Sequence, residues 1–375
     1  MLQFIDLHAQ YSQIQHEIEE AVLRVLRSGK YIMGPEVAEL EAELSRFVGA
    51  SQCISCASGT DALVMALMAS GVGPGDAVFT PPFTFIATAE AIATVGATPV
   101  FVDIDLATFN LDPAKLEQEV ASTKQEAVLQ PKGIIAVDLF GLPADYERIN
   151  ALAAREGLFV IEDAAQSFGG SAGNRRAGAL AEIGCTSFFP AKPLGCYGDG
   201  GAIFTDDANT ADILRSIRVH GQGADKYDNV RLGITGRLDT VQAAVLLVKL
   251  KLFERELEER GRVARMYTDA IRAAGVPLQT PSIPDGYSSA WAQYSVLADS
   301  SAERDQIMGQ LAAAGVPTAI YYPRPLHLQQ AFASLGYRPG DFPVSEHAAS
   351  RIFSLPMHPY LDEATVTKIV GTLGA

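Results

Sequence analysis

Cysteine, positive charge and long apolar runs are all scarce in this 375-residue sequence. Its four cysteines are too few for a disulfide framework in a chain of this length. Two of them form Cys53-Ile54-Ser55-Cys56, a spacing that could suit zinc or redox chemistry. The run from Gln52 to Cys56, however, reads as a buried strand, in which residues three apart point to opposite faces. Cys185 and Cys196 lack the spacing of a second zinc knuckle, so no metal site is expected. Lys and Arg total 29 against 44 Asp and Glu, leaving a net charge of −15. A nucleic-acid or anionic-membrane surface needs a basic footprint that this balance denies. An anionic substrate is compatible only with a few arginines gathered at one place. No stretch reaches about 18 apolar residues, and Met1-Leu2-Gln3-Phe4-Ile5-Asp6 has no basic segment leading into an apolar run, so the cytoplasm is the expected location. Hydrophobic residues, at 48 %, are plentiful enough to exclude intrinsic disorder and to build a large core.

Short apolar runs alternate with helical stretches through the first 250 residues. The strands expected are Cys53 to Cys56, Ala77 to Thr80, Pro99 to Asp103, Gly133 to Val137, Leu158 to Glu162, Cys185 to Phe189 and Ala202 to Thr205. Helical patterns fall at Asp61 to Ala69, Thr84 to Val95, Asp145 to Arg155 and Ala208 to Val219. Such alternation predicts an α/β sheet covered on both faces, with ligands at the carboxyl ends of its strands. From Leu238 the pattern becomes one long helix, with Val241, Val245, Val248 and Leu252 on its apolar side. Beyond a Pro- and Gly-containing stretch, a strand at Ala292 to Leu297, a helix at Ala302 to Ala314 and the run Thr318 to Tyr322 predict a smaller α+β unit. The expected division is a large domain over 1–250 and a small one over 251–375.

Among the sixteen residues from Ile183 to Gly198, Lys192 carries the one charge. Set between two prolines, with no neighbouring carboxylate in sequence, its amine is favoured in the neutral form that attacks a carbonyl to make a Schiff base. A snorkelling loop lysine would look the same. Asp163 closes the apolar run Leu158 to Glu162 and should stand at a strand's C-terminal edge. There a carboxylate can keep a pyridine nitrogen protonated, as pyridoxal phosphate chemistry requires, although such an Asp also serves as a helix N-cap. Ser58-Gly59-Thr60-Asp61 opens a helix after the first strand, offering free N–H groups and the positive end of its dipole to a phosphate. Ser187 could add a hydroxyl, and Phe85 could cover a cofactor ring or simply pack in the core.

Taken in order, SGKYIMGPEV from Ser28, SGTDAL from Ser58, PPFTF from Pro81, EDAAQSFG from Glu162 and SFFPAKPLGCYGDGG from Ser187 resemble the DegT/DnrJ/EryC1/StrS nucleotide-sugar aminotransferases. The likeness continues to SLPMHP at Ser354 and so spans nearly the whole chain. It implies the aspartate-aminotransferase-like fold type I, with a mostly parallel seven-stranded sheet, a homodimer with shared active sites, and pyridoxal 5′-phosphate bound to Lys192. It further implies that Asp163 partners the pyridinium and that Gln166 lies beside the ring oxygen. Thr60, the Gly59 and Asp61 backbone and Ser187 would hold the phosphate, and Phe85 would stack on the ring. Thr235 stands where the family commonly has an Asn that reaches the partner's phosphate, and Arg237 matches an arginine that enters the neighbouring site. Tyr321, Tyr322, His220 and His327 match positions that border the site.

The resemblance implies amino transfer from L-glutamate to a keto-sugar nucleotide. Within the family, CTSFFPAKPLGCYGDGGAIFT from Cys185 looks most like enzymes that aminate C3 of UDP-2-acetamido-2-deoxy-3-oxo sugars, particularly the glucuronate of surface-polysaccharide or lipopolysaccharide synthesis. Arg237, Arg324 and Arg218 would then supply the local positive field. A dTDP- or UDP-4-keto sugar and a non-catalytic regulatory role are the alternatives. Retention of both Lys192 and Asp163 argues against the latter.

Overall fold

The computed structural model describes residues 2–373; Met1, Gly374 and Ala375, at the ends of the two expected domains, lie outside the described residues. Seven strands build the central sheet: β1 (Gln52–Cys56), β2 (Asp76–Thr80), β3 (Thr98–Phe101), β4 (Gln130–Val137), β5 (Phe159–Asp163), β6 (Ile183–Ser187) and β7 (Gly201–Thr205). Their spatial order is β1-β7-β6-β5-β4-β2-β3. The strands from β3 across to β6 pair in parallel, while β7 runs antiparallel to both β6 and β1. The mostly parallel sheet expected from the sequence is therefore present, in the fold type I architecture.

The helices before the chain's midpoint are α1 (Leu7–Ser28), α2 (Pro35–Val48), α3 (Gly59–Ala69), α4 (Ala87–Thr94), α5 (Pro113–Glu126) and α6 (Tyr146–Glu156). They are followed by α7 (Ala208–Ile217) and the 35-residue α8 (Thr240–Ala274). On one face of the sheet Leu63, Ile92 and Leu214 of α3, α4 and α7 pack against Ile54, Ile135 and Ile161. On the other, Leu116, Val120 and Ile149 of α5 and α6 pack against Phe79 and Ile134. Neighbours Ile134 and Ile135 thus serve opposite cores, which is why β4 reads as a continuous apolar run. The same alternation separates Cys53 from Cys56, whose side chains join different clusters.

Helix α8 bridges two cores. Its first half adds Ala243, Leu246 and Phe253 to a cluster with Leu40 and Leu44 of α2. Its second half packs Val263, Tyr267 and Ile271 against α9 (Ser301–Ala313), α11 (Glu363–Leu373) and the antiparallel pair β8 (Tyr294–Leu297) and β9 (Ile352–Leu355). Helix α10 (Pro343–Arg351) leads into β9. The expected boundary at 250/251 falls inside α8, and the chain ahead of α1 lies on the second core. Leu2 packs there, and Phe4 accepts a backbone hydrogen bond from Met357 over 3.1 Å.

Two expectations need correction. Thr318 to Tyr322 forms no strand beyond one bridge between Ala319 and Ser354. Pro317 and Pro323, which lack N–H donors, flank the run and prevent a longer ladder. The helix expected from Thr84 begins at Ala87, leaving Thr84 to Ile86 in the turn at the sheet's edge. Helices α1, α2, α5, α10 and α11 have no counterpart among the sequence expectations, although Asp112 followed by Pro113 is a helix-start signal, and Asp112 does cap α5.

Candidate active site

At the carboxyl edge of the sheet, β5 ends in Asp163 and β6 ends in Ser187. The loop that carries Lys192 joins β6 to β7, its base closed by the pairing of Ser187 with Gly201 and a 2.7 Å bond from Phe188 N–H to Gly200. Inside it, Lys192 N–H donates to Phe189 and Cys196 N–H donates to Phe188, both over 2.8 Å. Gly195 is required by close approach, since a Cβ there would lie 2.4 Å from the Pro190 carbonyl oxygen. The loop's shape, and not a helix, aims the lysine.

The two charged groups expected to act together do sense each other. Burial pulls the Lys192 amine below its usual range, and the negative charge of Asp163 opposes that shift. Burial likewise pushes Asp163 up, opposed by a 2.9 Å hydrogen bond from Thr88 Oγ1, by the Ala165 N–H and by the charge of Lys192. Thr88 is a residue that sequence reading missed. Its signal was its place one residue into α4, beyond the turn at the end of β2, where side chains look back at the strand ends.

The segment expected to hold a phosphate opens α3. Ser58 caps α3 by accepting from Asp61 N–H over 3.0 Å, so the Asp61 amide is already engaged. Among the described residues, no hydrogen bond engages the N–H groups of Gly59 and Thr60, which remain for an anion. Gly59 abuts Ser187 so closely that a Cβ would sit 2.6 Å from the serine Cβ. Ser187 Oγ accepts from Phe189 N–H over 3.2 Å, which turns the hydroxyl toward the same space.

Around this centre, Phe85 is 54 % exposed, with its ring centroid 6.3 Å from that of Tyr322. Gln166 accepts from Phe140 N–H over 2.8 Å and donates from Nε2 to Tyr322 Oη over 3.1 Å, which fixes its amide plane. Tyr321 lies beside Phe4, with ring centroids 6.2 Å apart. Thr235 is exposed, its hydroxyl 2.9 Å from His220 Nε2. Arg237 has a buried Nε without a partner among the described residues. Arg324 is exposed. Two expected site residues turn away. His327 is buried against Phe342, its Nε2 3.1 Å from Glu346, so in the single chain it supports the loop from inside. Arg218 pairs with Glu41 and donates to the Ser55 carbonyl, which removes it from the positive field expected at the site.

The family model for DegT/DnrJ/EryC1/StrS aminotransferases matches residues 12–374. The chain belongs to that family. This aminotransferase is 50 % identical over 373 residues to the UDP-2-acetamido-2-deoxy-3-oxo-D-glucuronate aminotransferase of Pseudomonas aeruginosa, covering 100 % of this chain and 99 % of that one. It is 40 % identical over 365 residues to the UDP-N-acetyl-3-dehydro-alpha-D-glucosamine 3-aminotransferase of Acidithiobacillus ferrooxidans, covering 97 % and 95 %. The crystal structure of a DegT/DnrJ/EryC1/StrS aminotransferase from Brucella abortus superposes with a TM-score of 0.96 at 54 % identity, covering 100 % of this chain and 98 % of that one.

Transaminases of this family depend on pyridoxal 5′-phosphate. The residues present fit that group. A glycine whose missing Cβ leaves the cradle open, two unengaged amides at a helix start, a buried carboxylate and a desolvated amine correspond to its phosphate, ring nitrogen and aldehyde.

Proposed function

We propose that this aminotransferase transfers the amino group of L-glutamate to C3 of a UDP-2-acetamido-2-deoxy-3-oxo-hexose or its uronate, in the cytoplasm, for surface polysaccharide or lipopolysaccharide synthesis. The observation that carries the chemistry is the convergence, at the sheet's carboxyl edge, of Asp163 at the end of β5, the Lys192 loop after β6 and the open Gly59 and Thr60 amides. The names of the two relatives, both 3-oxo sugar aminotransferases, support the substrate class.

Bound pyridoxal 5′-phosphate would supply an electron sink that lets a proton leave the carbon bearing the amino group. Lys192 would hold the cofactor, and its Nζ is the group that would take that proton and return it. Its lowered amine pKa keeps a larger neutral fraction ready for both tasks. The Asp163 carboxylate would accept from the ring N–H and keep it protonated. The Gly59 and Thr60 amides with the Thr60 and Ser187 hydroxyls bind the phosphate, and Asp61 fixes the start of α3. Phe85 covers the ring, and Gln166 sits beside the ring oxygen with its orientation set by Phe140 and Tyr322. Tyr321 and Tyr322 face the sugar, and His327 braces their loop.

The active unit we infer is a homodimer. Tyr31, Ile32, Met33, Phe189 and Leu232 are exposed apolar side chains that a second copy would cover. In that dimer Arg237 and Thr235 reach the partner's site, where Arg237 meets the anionic substrate and Thr235 the phosphate. The two units divide at 250/251, with α8 as their shared support.

The test is an absorbance scan of protein reconstituted with the cofactor, followed by L-glutamate and then a panel of keto-sugar nucleotides. The expected course is a visible band that glutamate removes, with release of 2-oxoglutarate, and that a UDP-3-oxo sugar restores. Lys192→Ala should lack the band. No band in the reconstituted wild type overturns the aminotransferase assignment, and restoration by 4-keto sugars alone overturns the substrate.

A further inference from the structure

Three polar residues repeat every seven positions along α8: Gln242, Lys249 and Glu256. Seven residues are close to two turns, so the three share one stripe of the helix. Polar groups on a helix interior normally seek solvent, yet Lys249 is 1 % exposed and Glu256 5 %. Burying a lysine costs free energy unless its ammonium finds a partner. The partner here is the loop that carries Lys192. Lys249 donates from Nζ to the Gly195 carbonyl and lies 4.8 Å from the centroid of the Tyr197 ring. Two turns earlier, Gln242 clasps the adjacent peptide from both sides. It accepts from Tyr197 N–H over 2.9 Å and donates to the Tyr197 carbonyl over 3.3 Å.

The other end of the stripe is anchored just as firmly. Glu256 accepts from both Gln10 of α1, over 2.9 Å, and Tyr360 Oη. Arg260, one turn on, donates to the Trp291 carbonyl over 3.1 Å. Arg260, Gln10 and Tyr360 line the small cavity that Pro190, Lys192 and Pro193 wall from the opposite side. The stripe therefore ties the turn immediately after Lys192 to a rigid helix whose far half belongs to the second core. Phe188, Phe189 and Cys196 are bonded within the loop itself, while Gly195 and Tyr197, on either side of Cys196, are bonded to α8.

We propose that Lys249 and Gln242 are positioning residues that set the height and direction of Lys192 by clamping the Gly195–Tyr197 turn. This rests on Lys192 being the lysine that holds the cofactor. A loop whose next turn is free samples poses in which the amine misses its target, and small misplacements of a reacting group are costly in rate. The loss should therefore appear in the chemistry of Lys192 more than in substrate binding.

The experiment follows the rate at which apo-protein captures added pyridoxal 5′-phosphate, read as growth of the visible band and confirmed by borohydride reduction and mass mapping of the label to Lys192. Lys249→Met should slow capture about tenfold and lower kcat by a similar factor, with KM for the keto-sugar nucleotide within about twofold. Lys249→Arg, which keeps a charged donor, should recover most of the rate. Gln242→Leu, at a half-buried position, should slow capture by a smaller factor, and it decides the question if Lys249→Met does not fold. Folded variants that capture at the wild-type rate overturn the clamp. Failure of the wild type itself to label at Lys192 overturns the aminotransferase assignment instead, so the two failures are told apart.

Discussion

Thr88 donates its hydroxyl hydrogen to Asp163 Oδ2 over 2.9 Å, joining the first turn of α4 to the last residue of β5. Burial favours the neutral acid at Asp163, and this bond favours the carboxylate. A hydrogen bond to a charged group contributes about 1.5–3 kcal/mol, so Thr88→Val, which keeps the shape and removes the donor, should lower kcat by roughly tenfold or more. The Asp163 pKa should rise further in the variant. The acid limb of the pH–kcat profile should therefore move to higher pH, and Thr88→Ser should leave it in place. A Thr88→Val profile superimposable on the wild type would refute the role given to the bond.

Gly59 and Ser187 meet where β1, β6 and α3 converge, and no side chain larger than hydrogen fits between them. In Gly59→Ala the new methyl, 2.6 Å from Ser187 Cβ, must push the serine or the first turn of α3 aside. Either movement redirects the two open amides. Absorbance titration with pyridoxal 5′-phosphate should give a Kd raised about tenfold or more, against a smaller change for Ser187→Ala, which removes one hydroxyl and leaves the amides aimed. Equal effects from the two variants would mean that the amides are not the main phosphate ligands.

Beneath Asp163, the fully buried side chains of Asp138 and Glu162 form a pair of carboxylates. Glu162 accepts from the Gly178 and Leu180 N–H groups over 2.6 and 2.8 Å; Asp138 accepts from Ala144 N–H, Tyr146 Oη and Ser167 Oγ. Burial raises both pKa values; the charge of Asp138 pushes Glu162 up further, while a hydrogen bond from Glu162 opposes the rise at Asp138, so the folded pair retains a proton that the unfolded chain releases near pH 4. A raised folded-state pKa means that the folded state binds more protons than the unfolded one over the window above about pH 4. This contribution to stability is present at low pH and is lost as pH rises through the folded pKa. Asp138→Asn removes one titrating partner and leaves an amide that can face Ser167, whose hydroxyl can rotate to accept. Thermal melts between about pH 5 and pH 8 should show a shallower decline for the variant than for the wild type. Parallel declines would place the pH sensitivity elsewhere.

Much of the fold was legible because parallel strands buried on both faces announce themselves as apolar runs, and all seven end within two residues of the expected position. Asp163 stood out as a charge closing such a run, and Lys192 as the one charge among the sixteen residues from Ile183 to Gly198. Other features depend on residues far apart in sequence. Nothing near Arg218 reveals that Glu41, 177 positions earlier, neutralises it. Nor does the pattern around Lys249 distinguish a solvated lysine from one held by Gly195. Helix α5 buries only Leu116, Val120 and Thr123, a weak apolar stripe that leaves the cap at Asp112 as its clearest mark, whereas α1 carries a regular stripe of Ile14, Ile18, Ala21 and Val25 behind the cap at Asp6. The run Thr318 to Tyr322 does not reveal in sequence that it meets the small unit's strands through one bridge, between Ala319 and Ser354.

Arg218 and Glu41 show how an arginine near the site acquires a structural task. The Arg218 side chain is 6 % exposed and bonds both to Glu41 and to the Ser55 carbonyl, while Glu41 Oε1 also accepts from the Ser55 N–H and hydroxyl over 2.9 and 2.7 Å. The arrangement fastens α2 and the segment after α7 to β1, beside the start of α3. Removing one member of a buried pair typically costs about 3–5 kcal/mol, and the 18 % exposure of Glu41 places this case toward the lower end. Arg218→Met should therefore lower the melting temperature by several degrees, while KM for the nucleotide sugar in the folded fraction stays within about twofold. Combining it with Glu41→Leu, which removes the stranded carboxylate, should restore part of the lost stability. A folded Arg218→Met protein with a KM raised about tenfold and an unchanged melting temperature would return Arg218 to the substrate's positive field and overturn the structural assignment.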